Sequence, residues 1–88
     1  MNDGNLTGER ELDPNVALGA AIRALRERAS LTQAALDERA ELRPQSISAI
    51  EAGRHEPTWG DLRRIAKGLE VPLGRLLELV EELEGRQS

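Results

Sequence analysis

Cysteine is absent from the 88-residue sequence, which excludes disulfides and thiolate metal sites. Histidine occurs once, as His55, too few for a histidine-based metal site and a poor start for nucleophilic catalysis. Phe and Tyr are missing, and Trp59 is the only aromatic residue. The core must then be Leu, Ile, Val and Ala, a set that suits helices better than sheets, which draw on aromatic and β-branched residues. No apolar run approaches the roughly 20 residues of a membrane span, and the N-terminus has no signal-peptide pattern. The sequence reads as a soluble, cytosolic protein. It also lacks a phosphate-binding glycine loop and metal-ligand spacing, so an enzyme is a poor reading and no cofactor is implied. The length fits one domain with a modest core.

Basic excess is missing too. The formal net charge is −4 and the sequence pI about 5.0, whereas a nucleic-acid binder usually carries a basic footprint. The acid sits mainly at the ends. Residues 1–14 hold one Arg and four acids, residues 61–88 five bases and six acids, and residues 15–60 six Arg and six acids. A neutral central module has to work through a few placed arginines rather than a broad field.

What is present reads as an all-α chain of five helices. Residues 1–14, with Gly4, Gly8, Asn2 and Asn5, read as a disordered or loosely held tail. Helix 1 is expected over 15–29, capped by Asp13 or Asn15, with Leu18, Ile22, Leu25 and Ala29 on its apolar stripe. Helix 2 is expected over 32–40 with Thr32 as N-cap, and helix 3 over 44–52 with Pro44 at its first position and Gly53 as its stop. Ile47 and Ile50 give helix 3 an inward face, and Gln45, Ser46 and Ala49 fall on a different one. Helix 4 is expected over 59–69, with Thr58 and Asp61 spaced as a capping box and Trp59 half-buried. Helix 5 follows Pro72. Its Leu76, Val80 and Leu83 keep the 4,3 spacing of a short coiled-coil seam, so residues 79–88 read either as a tail folded back on the domain or as a dimer contact. A short helix, a tight turn and a polar-faced helix form the plan of a DNA-reading helix-turn-helix.

The motifs Leu31-Thr32-Gln33-(x)2-Leu36, Ile47-Ser48-(x)2-Glu51-(x)-Gly53, Glu56-Pro57-Thr58 and Leu62-(x)2-Ile65-Ala66 occur in that order. Together they make residues 16–78 resemble the Cro/cI-type phage-repressor helix-turn-helix (XRE) family. The resemblance implies a compact five-helix domain over 15–78 and a sequence-specific transcriptional regulator that binds double-stranded DNA as a homodimer. It makes Gln33 a phosphate contact that braces the reading helix, sets Thr32 beside it, and pairs Arg26 with Glu51 between helices 1 and 3. The first residues of the reading helix would be Arg43, Pro44, Gln45 and Ser46, with Ala49 one turn on. Gln45 has the chemistry to bond adenine bidentately, and Arg43 to reach guanine or phosphate. Arg54 and His55 are candidate phosphate contacts, His55 having an ordinary loop histidine as its alternative. The same fold could instead serve as an antitoxin-like or anti-repressor module that holds a partner protein.

The sequence departs from the family twice. Asp37 stands at the fifth position from Gln33, where the family has Ala, and Glu41 at the ninth, where it has Gly. Glu41 should then carry the strain of a positive φ. An unpartnered carboxylate at position 37 would be expensive. Asp37 is therefore expected to reach the exposed amides near Gln45 and Ser46 at the start of helix 3, or to pair with Arg43.

Overall fold

The computed structural model describes residues 13–85. The expected tail therefore lies outside the described residues except for its last two, and so do residues 86–88. Among the described residues are five helices and no strand: α1 (Pro14–Arg28), α2 (Gln33–Arg39), α3 (Ser46–Glu51), α4 (Trp59–Leu69) and α5 (Leu73–Gly85). None is long and apolar enough to cross a membrane.

Each start has a local cause. Asp13 caps α1 by accepting from the Asn15 amide at 2.7 Å, with Pro14 as the first helical residue. Thr32 Oγ1 accepts from the Ala35 amide at 3.0 Å to open α2. At α4 the expected capping box is complete: Thr58 Oγ1 accepts from the Asp61 amide at 3.0 Å, and Asp61 Oδ2 from the Thr58 amide at 3.2 Å.

The first four helices share one way of ending. Beyond α1, the Ser30 amide donates to Glu27 O and the Leu31 amide to Arg26 O. The same paired bonds recur at Glu41 and Leu42, at Gly53 and Arg54, and at Glu70 and Val71. This is the Schellman arrangement, which needs a left-handed residue just past the helix. Glycine supplies it only at Gly53, with φ 76°. Ser30, Glu41 and Glu70 adopt φ 59°, 58° and 60° without that freedom. The expected positive φ at Glu41 is thus present. The next residue makes it worthwhile, because Leu31, Leu42 and Val71 each pack against the core.

That core contains Ile22, Leu36, Ile47, Ile50, Ile65 and Leu76 as its largest fully buried side chains. α5 packs along α1, α3 crosses α1, and α2 and α4 close the other side. Two expectations about packing need correction. Ala29 lies past the end of α1 and is exposed; Ala17 and Ala21 take the buried places beside Ile22 and Leu25. Trp59 is 61% exposed rather than half-buried. It is the first residue of α4, one turn before the buried part of the stripe of Leu62, Ile65, Ala66 and Leu69. In α5, Leu76 is fully buried, and Val80 and Leu83 pack against the core. The 4,3 seam thus packs on the domain's own core, Val80 and Leu83 being half-buried there.

Gly19 is what allows α1 and α3 to approach so closely. A Cβ there would lie 2.5 Å from Ile50 O and 2.7 Å from Glu51 O. Because those atoms are backbone, they cannot turn aside. Gly19→Ala should destabilise the domain by about 1–3 kcal/mol, the range for overpacking, read as a lower denaturant midpoint. Glu41→Gly should act the other way, raising stability by about 0.5–1 kcal/mol through relief of left-handed strain. An unchanged midpoint for Glu41→Gly would mean that the turn carries no strain.

Candidate nucleic-acid interface

α3 is held in place from two sides. At its C-terminal end, Arg26 Nε donates to Glu51 Oε2 at 2.6 Å and Arg26 Nη2 to Glu51 Oε1 at 3.0 Å. Arg26 Nη1 donates to Leu31 O at 2.8 Å, and Gln33 Nε2 to Glu51 Oε1 at 2.9 Å. The Arg26 and Glu51 side chains are only 12% and 5% exposed. The expected pair is thus a fork-to-fork ion pair that ties α1, the α1–α2 turn, the start of α2 and the end of α3 together. The hydrogen bond and charge of Glu51 outweigh burial and raise the Arg26 pKa above its usual value. A raised pKa stabilises the fold at every pH below it, so this contribution is constant across the physiological range. Gln33 braces α3 as the resemblance implied, and Nε2 has a second hydrogen to offer.

At the other end, Asp37 is 5% exposed and spans the start of α3. Its Oδ2 accepts from the Gln45 amide at 3.0 Å and its Oδ1 from the Ile47 amide at 2.8 Å. The carboxylate therefore caps α3 from a neighbouring helix, as expected, with Ile47 rather than Ser46 as the second donor. The alternative pairing with Arg43 is not among the ion pairs of the described residues.

The expected boundary of this helix also changes. Pro44 is not its first residue; the helix begins at Ser46, with Gln45 at the N-cap. The Ser46 amide donates to Arg43 O at 3.1 Å across Pro44 and Gln45. Gln45 has φ 70° and ψ 7° and makes no side-chain cap bond. Proline at the second position and a positive φ at the third describe a type II turn. Proline presets the turn's first φ, which pushes the left-handed residue to position 45 and delays the helix to Ser46.

The expected site residues divide by exposure. Arg43, Pro44 and Gln45 are exposed in the turn, Arg54 and His55 in the loop after α3, and Thr32 at the start of α2. Ser46 and Ala49 are half-buried. The outward side of α3 carries Ser48, Ala49 and Ala52, with Gln45 exposed in the turn just before it. Ser48 and Ala52 were missed by the sequence reading, although their i, i+4 spacing beside Ala49 carried the signal. A groove between α2 and α3 brings Gln33, Gln45 and Ser48 together with Ala34 and Glu38. Among the described residues Arg43 and Arg54 enter no ion pair, so both are available to an outside anion.

Removing one member of the buried pair strands the other. Arg26→Ala or Glu51→Ala should each destabilise by on the order of 3 kcal/mol. A double-mutant cycle should return a coupling of at least about 0.5 kcal/mol; coupling near zero would make them independent charges.

The helix-turn-helix domain family matches residues 17–80. Among solved structures, the clp gene regulator ClgR from Corynebacterium glutamicum is 27% identical, with TM-score 0.83 over 88% of this chain and 82% of that one. The restriction-modification controller protein C.Esp1396I is 27% identical, with TM-score 0.76 over 83% of this chain and 96% of that one. The chain has no match among curated proteins. With the match spanning most of its length and the turn and second helix displayed on its surface, the chain belongs to the helix-turn-helix domain family, as a DNA-binding regulator of the Cro/cI type.

Proposed function

We propose that this regulator reads its operator through the outward face of α3, as a homodimer on two half-sites. The observation that carries the reading is that Gln45 and Ser48 line one groove beside α3, flanked by Arg43 and Arg54, which enter no ion pair among the described residues. Gln45 has the donor and acceptor needed for an adenine edge, and Ala49 and Ala52 are small enough to meet a thymine methyl. Arg43, Arg54, His55 and a Gln33 amide hydrogen take phosphates and set the register. With no broad basic field, non-specific affinity is weak and the preferred site stands out through base contacts. Such a regulator works beside the chromosome, in the cytoplasm, and needs no cofactor or catalysis.

Two reading helices must sit about one DNA turn apart, roughly 34–36 Å. Support for a second copy comes from the outward side of α5, where Leu77 is 38% exposed. Leu76 is fully buried in the core, and Val80 and Leu83 are half-buried against it. Leu77→Glu should therefore abolish dimers in sedimentation while leaving the helical content unchanged. A wild-type chain that stays monomeric at high concentration removes the dimer from the proposal.

Gln45→Ala should cost roughly 1–3 kcal/mol on the preferred duplex and relax base choice at one position. Arg54→Ala should weaken all duplexes alike and lower the salt slope by about 1. Absence of binding to any duplex even at low salt would favour the protein-holding module instead.

A further inference from the structure

Asp37 is the buried carboxylate of the described residues that has no countercharge. Burial of a charge is costly unless its oxygens are fully used. Here they are used on two backbone amides, those of Gln45 and Ile47, on either side of the first residue of α3. One of the two belongs to a non-glycine residue in the left-handed region, at φ 70°. An L residue adopts that conformation only when its surroundings over-determine it. The backbone angles of Gln45 also constrain where its side chain points, and that residue is exposed and lines the groove with Gln33 and Ser48.

We propose that Asp37 is a positioning residue for base reading: by clamping the Gln45 and Ile47 amides it holds Gln45 left-handed and aims its amide group at the base edge. The proposal rests on the reading of α3 as the DNA-contacting helix. Two effects of Asp37 then carry opposite signs. A carboxylate beneath a DNA-facing groove repels phosphate, so its removal should leave non-specific affinity unchanged or raise it. The aim of Gln45 should suffer at the same time, so discrimination should fall. Loss of the charge acts in any variant without the carboxylate; the fall in discrimination is the sign that a purely structural role would not produce in a variant that remains folded.

The test uses the full chain as wild type, Asp37→Asn, Asp37→Ala, Gln45→Ala and the Asp37→Ala/Gln45→Ala double variant. Each is held well below its unfolding temperature. Affinities are measured for a duplex selected from a random pool and for a scrambled duplex of equal length, at one salt concentration. The expected result is a roughly tenfold fall in the selected-to-scrambled ratio for Asp37→Ala, within the worth of one bidentate base contact. The scrambled affinity should be unchanged or higher, and the double variant no less discriminating than Gln45→Ala alone. Asp37→Asn keeps the size of the side chain but offers only one acceptor oxygen, so it should fall between wild type and Asp37→Ala. It serves the same comparison if Asp37→Ala does not fold. Amide exchange at Gln45 and Ile47 should quicken in either variant.

A folded Asp37 variant with the wild-type ratio overturns the proposal and leaves the DNA reading standing. So does a double variant that loses both factors in full. A wild type with no preference between the duplexes overturns the DNA reading, and this inference falls with it.

Discussion

A guanidinium and a carboxylate withdrawn from water must be matched bond for bond, and the placement of α3 depends on one such match. Arg26 gives Nε and Nη2 to Glu51 and Nη1 to Leu31 O, and Gln33 adds a further donor to Glu51. The stretch from Arg26 to Gln33 is thereby fixed against Glu51, 25 residues on from Arg26. The geometry is reached because Gly19 lets the α1 backbone touch the carbonyls of Ile50 and Glu51. The apolar contacts of Ile47 and Ile50 then fill the space between, supplying most of the stability but little of the orientation, since burial is non-directional.

The other end of α3 is set by different chemistry. An α-helix of six residues has too few internal bonds to hold itself. Its first amides need acceptors, and the usual donor of such an acceptor, a Ser, Thr, Asp or Asn side chain at the N-cap, is missing because Gln45 stands there. Asp37 supplies the acceptor from α2. The reading helix is thus fastened to α2 at its start and to α1 at its end, with Gln45, Ser48, Ala49 and Ala52 left facing outward between the two clamps. A neutral module with a modest aliphatic core gains from such fastening, because base recognition requires side chains to be held before the DNA arrives.

Much of this was legible in the sequence because the deciding interactions are local. Thr32, Thr58 with Asp61, and Asp13 announce helix starts through bonds that span two or three residues. Leu36, Ile47, Ile50, Ile65 and Leu76 announce the core through periodicity. The Arg26–Glu51 pair joins residues 25 apart and came from family resemblance rather than from spacing. Asp37 could be placed because an unmet carboxylate and an uncapped helix stood within reach of each other. What could not be read depended on geometry between elements. The left-handed Gln45 follows from where the proline turn closes, and the need for Gly19 from a helix crossing. The exposure of Trp59 follows from its place at the N-terminal end of α4, and the engagement of Val80 and Leu83 from α5 lying along α1. Periodicity said that α5 had an apolar face but not which surface would cover it.

The central claim, that α3 presents a built reading surface rather than a solvated helix, is tested most directly by selecting bound duplexes from a random pool with the full chain. The account predicts enrichment of a palindrome whose half-sites are centred about 10 base pairs apart, each holding a position that prefers adenine. Recovery of duplexes with no shared sequence, or no recovery even at low salt, would contradict it.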